Sequence, residues 1–467
     1  MPSYFFCGIG GSGMLPLAMI LRGQGAQITG SDRGHDQGRT PEKFTYLEGQ
    51  GIQIVPQDGN GLTANFDALV ISSAVEDTIP EVRRAKEIGV PILKRAELLA
   101  QLFNTAKTGI GIGGTSGKST TTGMLAWILK ESGENPTVMN GANFLNFVSP
   151  DTPFASALVG DKDLFVTECD ESDGSIILYQ SRIAVLNNIA LDHKPVTELK
   201  PIFAQFLNQS ERQVLNIDNQ AVAEMSAAYH ATALTVGIDN PLAHLNATNL
   251  RHSPDGISAQ IQYVTPSREG LEGAVERGQI SLKVIGRHNV ENALCAIGAA
   301  LLAGVALNDC CRSINGFSGV GRRLQTIKKM NNISVIDDFA HNPDKITASL
   351  RSLNEFSGRL LVMFQMHGYG PFRLMKDELM AAFVHGLKKD DVLYMPDVLY
   401  MGGSVDKSPT AQDFIVECES KGLNALYAPT RAEIGRMIEA EAKSGDRIVI
   451  MGARDDSLTE FAKSLSV

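Results

Sequence analysis

The chain has no excess of positive charge: 42 Lys and Arg stand against 52 Asp and Glu, for a net charge of −10, and no basic stripe stands out. That argues against a nucleic-acid partner, although phosphorylated small molecules still suit locally positive loops. It has no apolar run of the roughly 18 residues a membrane helix needs, so no membrane partner is expected. Its six cysteines, Cys7, Cys169, Cys295, Cys310, Cys311 and Cys418, show no metal-binding spacing and lie in apolar or helical contexts. They read as buried free thiols in a reducing compartment. The opening Met1-Pro-Ser-Tyr-Phe-Phe has no basic residues ahead of its apolar part, unlike a signal peptide. A cytoplasmic protein, monomeric or weakly dimeric, is the expectation. Repeats and low-complexity tracts are also missing.

What is present is an ordinary globular composition, 43% hydrophobic and 20% charged, spread over 467 residues. That length is too great for one core, and three segments show their own strand and helix rhythm. In residues 1–106, Tyr4 to Ile9 reads as a strand, Met14 to Leu21 as a helix and Gln27 to Asp32 as a second strand. With a further strand at Ala68 to Ser73, this is a small parallel sheet of nucleotide-binding, Rossmann-like topology. Residues 107–322 begin with the β-branched, Gly-rich run Thr108 to Ile112. Strands follow at Leu164 to Thr167, Ile183 to Leu186 and Gln213 to Asn216. Residues 245–285 read as short antiparallel strands, giving a central parallel sheet of phosphate-loop ATPase type with a small antiparallel part. Residues 323–467 alternate strands and helices again, a second Rossmann-like domain. The fold class expected is α/β in three domains.

The most informative stretch is Gly113-Gly-Thr-Ser-Gly-Lys-Ser-Thr-Thr-Thr122, set between a strand and a helix with the apolar stripe Met124 to Leu129. Free backbone N–H groups in such a loop, together with the helix dipole, cradle an anion. The loop residues Gly114, Thr115, Ser116, Gly117 and Thr120 would surround ATP phosphates, Lys118 would neutralise the β and γ phosphates, and Ser119 would offer its hydroxyl to Mg²⁺. Ile112 stands where the longer form of the motif has glycine. A second glycine loop, Gly8-Ile-Gly-Gly-Ser-Gly13, follows a strand and precedes Asp32 by about twenty residues. It suits NAD, another diphosphate such as a UDP-sugar, or close packing of a helix. Two phosphate loops in one chain suggest that ATP activates whatever the other holds.

Other polar clusters follow strands. Glu168 opens the run Glu168-Cys-Asp-Glu-Ser-Asp173, which is placed to hold Mg²⁺ or is a solvated acidic loop. His193 closes Asn187-Asn-Ile-Ala-Leu-Asp-His193, as a metal or phosphate contact or as a structural histidine. Asp337-Asp-Phe-Ala-His-Asn-Pro343 is either part of a site or a capped turn. His367 and Arg373, in Gln365-Met-His-Gly-Tyr-Gly-Pro-Phe-Arg373, are candidate anion contacts.

Taken together and in this order, these motifs resemble the Mur ligase family, ATP-dependent enzymes of bacterial cell-wall precursor synthesis. The resemblance spans nearly the whole chain. The strings GIGGSGM, GSD, ISSAV, GTSGKSTTT, ECDESD, NNIALDH, GRHNVENA, GRRLQ, DDFAHNP and FQMHGYGPFR resemble the branch that adds L-alanine to UDP-N-acetylmuramate. NGANF, NNIALDH and DDFAHNP lean to the branch that attaches a recycled L-Ala-γ-D-Glu-meso-diaminopimelate tripeptide. The resemblance implies that Gly8, Gly10, Gly11, Ser12 and Gly13 hold the UDP diphosphate, with Asp32, Ser72 and Ser73 on the same substrate and His367 and Arg373 nearer the incoming amine. It implies Mg²⁺ on Ser119 and Glu168, with His193 on a second metal ion, and Asn292 facing adenine. Asp337 and His341 would complete the ATP site, with Arg322 at a hinge and the third domain closing over both ligands. The family's alanine-adding members usually carry His at the place of Ser116 and Arg at the place of Gly368. Those departures leave open a different acceptor or a non-catalytic nucleotide-binding relative. A nicotinamide dehydrogenase would leave the second phosphate loop unused.

Overall fold

The computed structural model describes residues 1–467 except 74, 191–193, 266–273, 401–405, 454 and 456. Its architecture is α/β with three sheets. The described chain gathers into two compact units: Met1–Arg251, Ser258–Lys283 and His288–Val320 form one, and His252–Ile257, Val284–Arg287 and Gly321–Val467 the other.

The first sheet comprises β1 (Ser3–Cys7), β2 (Gln27–Ser31), β3 (Gln53–Val55), β4 (Ala68–Ile71) and β5 (Ile92–Lys94), in the order β3-β2-β1-β4-β5. All its pairings are parallel. A central parallel strand is covered on both faces and so reads as continuously apolar. β1 does this with Phe5 and Cys7 in one core and Phe6 in the other. The chain winds outward from β1 in both directions, so the carboxyl ends of β1, β2 and β4 meet along one edge at the point of reversal, where such sheets bind ligands.

The ten-stranded second sheet lies in the same unit. Its strands are β6 (Thr108–Gly113), β7 (Pro136–Met139), β8 (Ala157–Leu158), β9 (Asp161–Glu168), β10 (Ile183–Leu186), β11 (Arg212–Asn216), β12 (Ala233–Ile238), β13 (Leu245–Ser253), β14 (Gly256–Val264) and β15 (Val275–Leu282). They run in the order β15-β14-β13-β12-β11-β10-β6-β9-β7-β8. β6 is flanked in parallel by β10 and β9, which sets the segments after Leu186 and Glu168 beside the loop after Gly113. The antiparallel strands expected after residue 245 continue this sheet at one edge. β13 pairs parallel with β12, and β14 follows β13 after two residues, a link too short for a parallel crossover. The helix Lys118–Glu131 is buried over most of its circumference, as a helix packed between layers must be. One core spans both sheets: Phe6, Leu98 and Phe103 join Phe165, Tyr179 and Phe206. Phe103 meets Phe165 and Tyr179 edge-on, with ring centroids 5.8 and 5.3 Å apart. That shared core makes the two sheets one compact unit.

The third sheet comprises β16 (Gln325–Met330), β17 (Ile333–Asp338), β18 (Leu360–Gln365), β19 (Val392–Met395), β20 (Ala425–Tyr427) and β21 (Arg447–Gly452), ordered β16-β17-β21-β18-β19-β20. Only β16 runs antiparallel to its neighbour. Its two-residue turn, Asn331-Asn332, has φ of +52° and +61°, the left-handed pair that a tight hairpin requires. All six cysteines are free and buried. Burial first, then Glu81, pushes the Cys7 thiol up to about 12. Among the described residues no helix is long and apolar enough to cross a membrane.

Candidate functional site

The phosphate loop is held open by side chains from three other segments. Gly117 has φ +81° and ends the loop at the first turn of the helix Lys118–Glu131. Beneath it lies a buried amide cluster. Asn187, just past β10, donates to Thr121 Oγ1 at 2.7 Å and to Asn292 Oδ1 at 3.3 Å. Asn292 also accepts from Thr121 Oγ1 at 3.3 Å and donates to Asn289 Oδ1 at 3.2 Å. Above it, Asn188 Oδ1 accepts from Thr115 Oγ1 and from the Ser116 N–H, both at 2.9 Å, and Asn188 Nδ2 donates to Ser116 O at 3.1 Å. Thr115 and Thr120 are buried and Ser116 is exposed. The amides fix the loop, leaving backbone N–H groups rather than side chains to shape the cradle. Asn292, which the resemblance implied faces adenine, is 5% exposed and packed under Gly117.

Lys118 lies in the loop's mouth, where Nζ donates to Gly114 O at 2.7 Å and to Glu171 Oε2 at 2.6 Å. The pair is largely buried, at 16% and 4% side-chain exposure. Burial pulls the ammonium's pKa down, but Glu171, Asp170 and Glu168 together outweigh it and hold it above its ordinary value. Burial likewise pushes the Glu171 carboxyl up, against the pull of Lys118. Glu171 was not singled out in the sequence; the signal was its place in the acidic run, but only the fold shows that it faces Lys118. The same holds for Asn187 and Asn188.

Ser119 Oγ donates to Glu168 Oε2 at 2.9 Å, and the Gly141 N–H donates to the other carboxylate oxygen. An octahedral Mg²⁺ with oxygen ligands at 2.0–2.1 Å sets neighbouring ligands about 2.9 Å apart. Ser119 and Glu168 therefore suit two adjacent positions of such an ion. Among the described residues no group of three or more His, Cys, Asp or Glu is gathered for a metal. That also suits Mg²⁺, which is typically held by one or two carboxylates with waters and substrate phosphates. His193 lies outside the described residues.

The first glycine loop stands at the carboxyl edge of the first sheet. Gly8 has φ +78°, and the Gly11 N–H donates to Gly8 O at 3.1 Å, closing the turn. Asp32 braces the loop, since Oδ2 accepts from the Gly10 N–H at 2.9 Å and Oδ1 from the Gly34 N–H at 2.7 Å. Ser12 is exposed, Gly13 caps the helix Met14–Gly23, and Ser72 and Ser73 lie just past β4 on the same edge.

In the second unit, Asp337 is fully buried and both its oxygens are engaged: Oδ1 by Arg322 Nε at 3.3 Å and Oδ2 by Thr459 Oγ1 at 2.5 Å. Arg322, with φ +58°, also donates to Gly452 O at 2.7 Å and Asp455 O at 3.0 Å. Asp337, which the family resemblance implied completes the ATP site, anchors Arg322 within this unit. Breaking a buried ion pair from one side leaves an uncompensated charge. Asp337→Ala should therefore lower the stability of this unit by about 3 kcal/mol, read as an earlier urea transition; an unmoved transition would refute the anchoring role. His341 Nδ1 lies 2.8 Å from Phe339 O, and its ring meets Phe339 edge-on. His367 bridges to Leu399 in parallel register. Arg373 is drawn to the segment after 405: Nε and Nη2 donate to Ser408 O at 3.1 and 2.9 Å, and Nη2 also to Asp406 O at 3.0 Å.

A phosphate loop whose lysine and hydroxyl meet strand-end carboxylates, sharing a unit with a second glycine loop, defines a nucleotide-using enzyme of the α/β class. Comparison with known proteins specifies the kind. Residues 3–107 match the Mur ligase family catalytic domain, 112–300 the Mur ligase middle domain and 322–454 the Mur ligase glutamate ligase domain. A UDP-N-acetylmuramate–L-alanine ligase of Pelotomaculum thermopropionicum is 32% identical over 460 residues, covering 96% of this chain and 94% of that one. The chain belongs to the Mur ligase family. Two solved structures share the fold across the whole chain at 24% identity. One is the UDP-N-acetylmuramate-alanine ligase of Thermotoga maritima, with a TM-score of 0.79, and the other a murein peptide ligase of Psychrobacter arcticus, with 0.71; this chain covers 98% of each.

Proposed function

We propose that this chain is an ATP-dependent ligase that joins the lactyl carboxylate of UDP-N-acetylmuramate to the amine of L-alanine. The observation that carries the reading is the Lys118–Glu171 pair beside Ser119 and Glu168, a phosphate cradle with its charges in place; likeness to the alanine-adding relatives over nearly the full length supports the substrates. ATP, a substrate here, would lie on the loop from Gly114 to Thr120. Lys118 would leave Glu171 for the β and γ phosphates. Mg²⁺ held by Ser119 and Glu168 would supply neutralising charge at the phosphate oxygens.

In this reading the donor carboxylate oxygen attacks the γ-phosphorus, the bond to the β-phosphate oxygen breaks, and ADP leaves. The amine then attacks the acyl phosphate carbon, giving up a proton as inorganic phosphate departs and the amide forms. Two anions meet in the first step, so the fixed cation at Lys118 lowers its barrier. Exclusion of water protects the acyl phosphate from hydrolysis.

A second acceptor is favoured by one feature. Gly368, where the family resemblance implies arginine in alanine-adding members, has φ +84°, a conformation that L side chains rarely adopt. With Arg373 bonded to backbone carbonyls, a small amino acid would lack a carboxylate contact there, and the recycled tripeptide becomes the alternative. The deciding assay mixes ATP, Mg²⁺ and UDP-N-acetylmuramate with L-alanine, other L-amino acids or the tripeptide, and follows phosphate release and product mass. Ligated product with L-alanine alone is the expected result; product only with the tripeptide would move the acceptor to the second reading. No product with any acceptor, from protein that still binds UDP-N-acetylmuramate, would sink the ligase reading in favour of a diverged relative.

A further inference from the structure

Arg95 is the first residue of the helix Arg95–Phe103, which begins where β5 ends and so stands on the carboxyl edge shared with the first glycine loop. Its side chain lies on the last residue of that loop. A Cβ added at Gly13 would sit 3.0 Å from Arg95 Cδ, 3.2 Å from Nε and 3.5 Å from Cζ. Within the first unit, a cation therefore lies against the last residue of the donor loop.

The guanidinium is half-buried, yet it makes no hydrogen bond among the described residues. A guanidinium carries five donors, and here they stand open to an incoming acceptor. Beside it, the Ser12 and Gly13 N–H groups also find no protein acceptor among the described residues. These unmatched donors converge on one place, at the amino end of the helix Met14–Gly23, and the carboxylate of Asp32 is already engaged by Gly10 and Gly34. A diphosphate has the charge and the number of acceptor oxygens to satisfy them all, and a planar guanidinium can take two of its oxygens at once.

We propose that Arg95 binds the diphosphate of the nucleotide-sugar donor. This rests on the reading that the donor is a UDP-sugar. It makes Arg95 a donor-binding residue that the glycine-loop motif does not contain, and it gives glycine at position 13 a reason, room for the guanidinium.

The test uses the full chain and its Arg95→Lys and Arg95→Gln variants, with calorimetric titration of UDP-N-acetylmuramate, UDP and Mg·ADP. Wild-type protein should bind all three. Arg95→Gln should bind both uridine ligands about 20-fold more weakly and Mg·ADP as wild type does. Arg95→Lys should recover part of the loss, because it restores charge without the fork. A loss for UDP-N-acetylmuramate with none for UDP would overturn the proposal and assign Arg95 to the sugar's carboxylate. An equal loss for Mg·ADP would also overturn it, by showing a general structural role. Unchanged binding in both variants would do the same while leaving the function intact. Wild-type protein that binds Mg·ADP but neither uridine ligand would instead refute the donor reading itself.

Discussion

Lys118→Ala is expected to abolish ligation, with a fall of about a thousandfold or more in turnover, while donor affinity stays within a few-fold of wild type. The lysine's ammonium is held at the mouth of the loop by Gly114 O and Glu171. Removing it leaves the incoming carboxylate to approach the γ-phosphate without that fixed positive charge. The donor loop lies on a different sheet, and its turn is braced by Asp32 and Gly8, with no bond to Lys118. Simultaneous loss of donor binding and ligation would contradict this assignment.

The same substitution carries a stability signature. It strands Glu171, 4% exposed, without its cation, and breaking one side of a buried pair costs about 3 kcal/mol or more. In the wild type Lys118 pulls the Glu171 carboxyl down against burial, which already leaves it raised. Without Lys118, burial acts with less opposition and the folded-state pKa rises further. A carboxyl whose folded pKa is raised binds a proton more readily in the folded state than in the unfolded one. Stability then falls as pH rises from the unfolded value towards and through the folded one. Thermal melts of the variant should therefore show a smaller deficit relative to wild type at pH 5 than at pH 8. An equal deficit at both would mean that Glu171 finds another partner.

Gly117→Ala is expected to be the second severe change. Its φ of +81° costs a residue with a Cβ about 1–2 kcal/mol. The new Cβ would also lie 2.3 Å from Asn292 Oδ1 and 2.9 Å from Asn187 Nδ2, so the buried amide cluster must give way. Leaving buried amides unpaired adds about 1–3 kcal/mol. Nucleotide affinity should fall at least tenfold, because the displaced cluster holds the cradle, and the thermal midpoint should drop by several degrees. Gly133→Ala is the control. It has φ +89° at the far end of the same helix with nothing within 4 Å of the added Cβ, so it should show the backbone cost without the loss of nucleotide. Equal nucleotide binding by wild type and Gly117→Ala would refute the role given to the cluster.

The two cradles differ in how much of them the chain shows locally. The loop at Gly114 to Ser119 was legible because backbone N–H groups, a lysine and a hydroxyl must follow one another within a single strand-to-helix turn. The loop at Gly8 to Gly13, which has no lysine, was legible only as a run of glycines between a strand and a helix. Their partners were not. Glu171 lies 53 residues from Lys118, Asn188 lies 73 from Thr115, and Asn292 lies 171 from Thr121. The partners of Asp337 are as remote from view, since its oxygens are engaged by Arg322 and by Thr459, the latter 122 residues away.

By itself, then, the sequence determined the α/β class, the starts and types of the main strands and the positions of both glycine-rich strand-to-helix loops, because each depends on patterns only a few residues long. Which distant residues complete those loops was decided by strand order alone. β6 lies between β10 and β9, so parallel pairing carries Asn187, Asn188, Glu168 and Glu171 to one edge, and the winding of the first sheet outward from β1 brings β5, and with it Arg95, to the edge where Gly13 waits. Local patterns set each strand's amphipathic character, but the order in which strands pair depends on burying every face at once, and that is a property of the packed chain.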